Sequence, residues 1–363
     1  MQTLQGDIAT TLMDFLKGRE IGDNFAMKVI DKLAKETPML DDMTILECDD
    51  GTAMTVKVET EIPWPEWVGY NEGLRGGKTS SDTYQVRCGM MGTELVIPRK
   101  LFRDAKHNGK LRANAEIDDR LKKTIRGMKL AMEQMVIYGL LKDTPKGFNG
   151  LQKAYNRYGN DGRDGSVLCA DDMKAAYTVF NGGVFTGDGA TTDMGSIYLI
   201  RWGSDAWTGC HPQGTETGID IDELVESSMP DPKKPGTSIL TYVRQLWWQM
   251  GLACGDVNAG GRICNIPRNL MLLKSNADKR DQFVNCLSQM SSLVSTEGGK
   301  CAWYMDRRMK SNIKAIIEGT VRGRAIEMKE YMGRANVETL FGIPIRESDA
   351  MKVKEESVQP FAA

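Results

Sequence analysis

The chain holds two histidines, His107 and His211, and the second directly follows Cys210. A thiol beside an imidazole can work as nucleophile and base, provided a third group orients the ring. Sequence places no such group near Cys210 and His211, so a Cys-His site is an arithmetic possibility with nothing further to select it. His107 lies in the polar turn Ala105-Lys106-His107-Asn108-Gly109, where a solvated ring is expected. Two histidines leave little from which to build a histidine metal centre. Eight cysteines are scattered at 48, 88, 169, 210, 254, 264, 286 and 301, with no Cys-x-x-Cys spacing, and read as reduced, mostly buried thiols. The pairs Asp41-Asp42, Asp49-Asp50 and Asp171-Asp172 fall at expected turns, where capping is the common use of such side chains. Asp161-Gly162-Arg163-Asp164 fails as a calcium loop because its oxygens do not alternate, and Gly182 to Gly189 lacks the spacing of a phosphate cradle. The search selects no catalytic residue, no metal ligand set and no cofactor site.

Composition narrows the classes further. The 363 residues are 41% hydrophobic, enough for a sizeable core and, at roughly 100–200 residues each, for two or three domains. Basic and acidic residues number 47 and 49, a net charge of −2, so no electrostatic partner such as nucleic acid or an anionic membrane is indicated. Apolar runs such as Leu270 to Leu273 are far too short to span a bilayer. The N-terminus lacks the basic start and apolar run of a signal peptide.

The dominant element is a predicted helix over 115–139. Ile117, Leu121, Ile125, Met128, Met132 and Met135 recur at steps of four and three, Asn114 is placed to cap, and Lys122, Lys123, Arg126 and Lys129 fall on the opposite, polar face. Before it, alternation predicts a strand over Met54 to Ile62 and another over Tyr84 to Met90. Between them lies Pro63 to Asp82, a glycine- and serine-rich tip that nonetheless carries Trp64 and Trp67, each able to bury ~150–250 Å² against a partner surface. Either the rest of the chain covers these rings or a neighbouring subunit does. Two short helices are expected in residues 1 to 36, with Phe15 and Phe25 on their apolar stripes and a break at Thr37-Pro38.

Further along, a helix is expected over Asp172 to Phe180, a strand over Ser196 to Trp202 and a loop over Gly203 to Gly218. The long strand Tyr242 to Cys254 is read as turning at Asn258-Ala259-Gly260-Gly261 into a second hairpin with Arg262 to Ile266. Helices follow over Asn276 to Val294 and around Met309, Ile313 and Ile316, separated by a strand at Ala302 to Tyr304. A closing strand, Phe341 to Arg346, precedes a polar tail.

In this order, Trp64 to Tyr84 with Tyr70-Asn71-Glu72-Gly73 and Lys78-Thr79, the long helix, Gly147-Phe148-Asn149-Gly150-Leu151, the strand Ser196 to Gly203, the segment Trp248 to Ile266 and Phe341-Gly342-Ile343-Pro344-Ile345-Arg346 resemble the major capsid proteins of tailed bacteriophages, the Hong Kong 97-type fold also found in encapsulin shells. The resemblance implies an α+β subunit without catalysis that self-assembles into an icosahedral head enclosing double-stranded DNA. It implies an N-terminal arm (1–50), an extended hairpin loop (51–97), a peripheral domain with the spine helix (98–270), an axial-type domain (271–340) and a closing strand and tail (341–363). Subunit-interface candidates are Trp64, Trp67, Tyr70, Leu74, Lys78, Phe15 and Phe25. Partners would be copies of the chain in pentamers and hexamers, a separate scaffold, a portal and a decoration protein, with assembly in a bacterial cytoplasm, packaged DNA as cargo only, and no membrane. An encapsulin-like shell and a cytosolic α/β enzyme using Cys210 and His211 are the alternatives.

Overall fold

A computed structural model describes residues 37–61, 63–74, 76–77, 80–99, 110–156, 179–181, 194–230, 236–267, 277–318, 326–331, 334–351, 355–356 and 358. The expected helices of residues 1 to 36, His107, the loops at 160–165 and 182–189 and nearly all of the helix expected over 172–180 lie outside these residues; Val179 and Phe180 are in a strand.

A short helix α1 (Pro38–Asp42) has proline in its first turn, where the missing N–H costs nothing, so Pro38 starts a helix here. Strand β1 (Ile45–Glu47) follows, then β2 (Ala53–Glu61) and β3 (Ser80–Arg87), which pair antiparallel with each other alone. The run expected over Tyr84 to Met90 divides at Cys88, because β4 (Gly89–Pro98) leaves the hairpin and joins the main sheet. The spine helix α2 (Lys110–Tyr138) starts four residues before Asn114, which is therefore inside the helix and not its cap. Its C-terminal end is closed by Gly139, whose amide donates to the Met135 carbonyl at 2.8 Å, and by Gly150, whose amide donates to the Gly139 carbonyl at 2.8 Å. A one-turn helix α3 (Leu151–Ala154) then packs against it.

The remaining strands are β5 (Val179–Asn181), β6 (Met194–Trp202), β7 (Trp207–His211), β8 (Ile219–Ile221), β9 (Val225–Pro230), β10 (Ser238–Cys254), β11 (Gly260–Pro267), β12 (Lys300–Met305), β13 (Ile326–Tyr331), β14 (Arg334–Leu340) and β15 (Ile343–Glu347). Helices α4 (Ala277–Leu293) and α5 (Arg307–Glu318) flank β12 in sequence. Among the described residues thirteen strands form one sheet, whose main path runs β13-β14-β15-β12-β6-β7-β10-β4. Two expectations fail here. The stretch after Gly203 contains β7, paired parallel with β1 and antiparallel with β10. And β10 does not form a hairpin with β11, which crosses to pair antiparallel with β6 and parallel with β5.

Period-two alternation sorts β6 between two cores. Tyr198, Ile200 and Trp202 pack with Met128, Met132 and Val136 of the spine helix, whereas Ile197 and Leu199 pack with Phe283, Leu287 and Met290 of α4 and Ile313 and Ile316 of α5. Both faces of β6 are covered, so the strand reads as a nearly unbroken apolar run. Tyr242, Leu246, Trp248, Met250 and Leu252 of β10 share the spine-helix core, as their alternation predicts.

The polar face of the spine helix is narrower than its sequence implies. Lys129 and Glu133, one turn apart, are buried, and Ser348 donates its hydroxyl to Glu133. Burial lowers the Lys129 pKa and pushes that of Glu133 well up. Nor is the tail merely polar, since Glu355 is buried and its backbone amide bonds the Met194 carbonyl at 2.8 Å.

Candidate functional site

The β2–β3 hairpin is anchored at its root and bare at its tip. Val56, Tyr84 and Val86 pack with Cys48, Cys210 and Ala253 of the body, and each valine so buried contributes about 1.5–3 kcal/mol. The Tyr84 hydroxyl donates to the Cys254 carbonyl and accepts from the Cys254 amide at 3.2 Å, tying the hairpin to the end of β10. Beyond Glu61 the chain carries Trp64 at 90% exposure and Trp67 at 102%, with Tyr70 and Leu74 equally uncovered. One turn orders this tip: the Gly69 amide donates to Glu72 Oε2 at 2.8 Å and the Glu72 amide to the Gly69 carbonyl at 3.1 Å. Four large, largely apolar side chains stand exposed on one short segment, more than a monomer ordinarily leaves uncovered. The structure thus brings Trp64, Trp67, Tyr70 and Leu74 together on one arm; Lys78, Phe15 and Phe25 lie outside the described residues.

The Cys210-His211 pairing is not formed. Neighbouring residues on a strand point to opposite faces, and Cys210 Sγ lies 3.7 Å from Cys88 Sγ, whereas His211 Nδ1 sits 3.1 Å from the Pro212 carbonyl. In place of a dyad, three thiols meet: Cys48 Sγ is 3.4 Å from Cys88 Sγ, and the sulfurs of Cys48, Cys88 and Cys210 all lie within 4.8 Å of one another. Hydrogen bonding from Cys210, opposed by burial and aided by Cys88, brings the Cys48 thiol down to about 7, and the same bonds push Cys210 up. Separations of 40 and 122 residues hide this cluster from any spacing rule. Asp42 was also misplaced by sequence: it accepts from Arg346 Nε at 3.1 Å and from the Tyr304 hydroxyl at 3.0 Å, joining α1 to β15 and β12 rather than capping a turn.

A long spine helix beside a broad sheet, with a hairpin arm thrown out from it, is the arrangement the sequence resemblance implied. The family model described as major capsid protein GP7 matches residues 22–359. The chain belongs to this family of major capsid proteins. Its role is structural, and a capsid protein of this kind acts as a building block of a virion shell. Among solved structures, this capsid protein is similar to a chain of the near-atomic-resolution cryo-EM structure of bacteriophage Epsilon15, with a TM-score of 0.57, 21% identity, and coverage of 99% of this chain and 100% of that one. The likeness is one of α+β fold. The bacteriophage JBD30 capsid aligns with a TM-score of 0.47 at 11% identity, covering 88% of this chain and 92% of that one. No curated protein matches the chain by sequence.

Proposed function

We propose that this capsid protein self-assembles, without catalysis, into the icosahedral head of a tailed phage around double-stranded DNA, and that its hairpin arm lies across a neighbouring subunit. The observation that carries this reading is the exposed tip, where Trp64, Trp67, Tyr70 and Leu74 find no cover among the described residues. Each ring can remove ~150–250 Å² from water once a neighbour supplies the surface, and a closed shell repeats that gain at every copy. Lys78 in the same loop and Phe15 and Phe25 in the N-terminal arm are assigned to the same contacts. The division into an arm at 1–50, a hairpin loop at 51–97, a peripheral domain at 98–270, an axial-type domain at 271–340 and a closing segment at 341–363 belongs to this proposal. So do pentamers and hexamers, a separate scaffold, a portal, a decoration protein and assembly in the bacterial cytoplasm.

Deletion of 63–82 tests it. The shortened subunit is expected to stay folded, since the hairpin root and both cores are intact, but to sediment as free subunits and show no shells in the electron microscope. Shells formed by the deletion variant would overturn the arm assignment. Nucleic acid within wild-type shells supports a phage head, whereas shells filled with protein cargo would favour an encapsulin-like compartment.

A further inference from the structure

We infer that Cys48, Cys88 and Cys210 form a three-thiolate site for one thiophilic d10 cation, zinc in the first instance, at the root of the hairpin arm. This goes beyond the capsid role and does not depend on it. Three segments distant in sequence supply the ligands: Cys48 follows β1, Cys88 is the single residue between β3 and β4, and Cys210 lies in β7. A zinc–thiolate bond of about 2.3 Å in tetrahedral geometry spaces its sulfurs by about 3.8 Å. The observed 3.4 and 3.7 Å, with the third pair inside 4.8 Å, need shifts of a few tenths of an ångström to about one.

The backbone around the sulfurs is held and cleared for them. The Cys48 amide donates to the His211 carbonyl and the Cys88 amide to the Thr52 carbonyl, both at 2.9 Å. Gly251 pairs with Cys210 across the β7–β10 ladder, and a Cβ there would fall 2.7 Å from Cys210 Sγ and 3.3 Å from the Cys88 Cα. Only glycine leaves that room. Cys48 and Cys210 are buried, but Cys88 is half-buried and lines a cavity of about 630 Å³, which gives an entry path and leaves space for water as a fourth ligand. Soft sulfur donors select zinc or Cu(I) over magnesium or calcium. A disulfide would need two of these thiols and strand the third; a metal uses all three.

Binding exchanges thiol protons for the cation, so each coordinated sulfur releases one proton and no electrons move. The test uses the full chain, purified under reductant, incubated with zinc, desalted and assayed for metal by mass spectrometry, with Co²⁺ as a spectroscopic probe. About one zinc per chain and a thiolate-to-cobalt charge-transfer band are expected, with zinc falling roughly tenfold in Cys88→Ser and in Cys48→Ser, and unchanged in Cys286→Ser, whose sulfur lies elsewhere. Because Cys88 is half-buried, its serine variant is expected to fold, and a thermal melt with and without zinc checks this. Overturning results are a wild-type chain retaining less than about a tenth of a zinc with no charge-transfer band, full retention by Cys88→Ser, or a Cys48–Cys88 disulfide in the purified protein.

Discussion

Arg262 Nη2 lies 2.9 Å from Glu355 Oε2, and neither side chain has appreciable contact with water. The two residues are 93 positions apart, one on β11 and the other in the C-terminal segment. Around them the Tyr138 hydroxyl donates to Glu355 Oε1 at 2.9 Å, Ser196 to Oε2 at 2.5 Å, and Arg262 Nη1 to the Tyr155 carbonyl at 2.8 Å. One carboxylate therefore ties the tail to the end of the spine helix and to the sheet.

Removing that carboxylate leaves a guanidinium that cannot shed its charge inside the core. Glu355→Ala is expected to cost about 3–5 kcal/mol, and Glu355→Gln less, because the amide oxygen still accepts hydrogen bonds. Urea unfolding of the soluble subunit measures both. A loss below about 1 kcal/mol for the alanine variant would mean the pair contributes no more than a surface one.

Glu133 sets a pH dependence. Burial, with Asp41 and Asp42 adding to it, raises its carboxyl well above the usual value of 4.5, against hydrogen bonds from Ser348 and the Leu40 backbone; Lys129 also faces it from the preceding turn. A raised folded value means the neutral form is the stabilising one. Its contribution is complete below about pH 4.5 and is lost as pH rises from there through the folded value. Glu133→Gln, a neutral isostere, should match the wild type near pH 4.5 and exceed it near neutral pH, as read from urea midpoints across the range. A variant weaker than wild type at neutral pH would show instead that a charged Lys129–Glu133 pair holds the site.

The tip tryptophans should behave oppositely in the two assays available. Trp64→Ser with Trp67→Ser removes side chains that are almost fully exposed, so the unfolding free energy should move by less than about 0.5 kcal/mol. Shell yield in electron micrographs should nevertheless collapse. A marked fall in subunit stability would mean the rings are covered in solution.

Gly139 closes the spine helix where the chain has no spare room. A Cβ there would lie 2.4 Å from the Met135 carbonyl oxygen and 2.5 Å from that of Phe148, both backbone atoms. Gly139→Ala is expected to cost about 1–3 kcal/mol by overpacking, read as a lower unfolding midpoint. A neutral result would show that the 139–150 turn yields easily.

Local periodicity carried much of the architecture. The spine helix, β2, β10 and α4 follow from spacing alone, because each buries a regular stripe, and their order along the chain was enough to show the resemblance to phage capsids. For the hairpin tip, sequence posed a question rather than an answer: two tryptophans on a glycine-rich segment need a cover, and only the fold shows that Trp64 and Trp67 stay exposed.

What sequence could not determine were the partners each element meets. Lys129 reads as solvent-facing until α1 and the segment around Ser348 close over it. Trp207 to His211 looks like a loop until β1 and β10 pair with it, and the apparent hairpin of β10 with β11 dissolves because β11 pairs with β6 and β5 instead. Three cysteines with no motif spacing become one cluster, and a polar-looking tail buries Glu355 against Arg262. Side-chain pattern is a property of a segment and survives in the sequence; pairing and burial are properties of two segments at once, and only the folded chain brings them together.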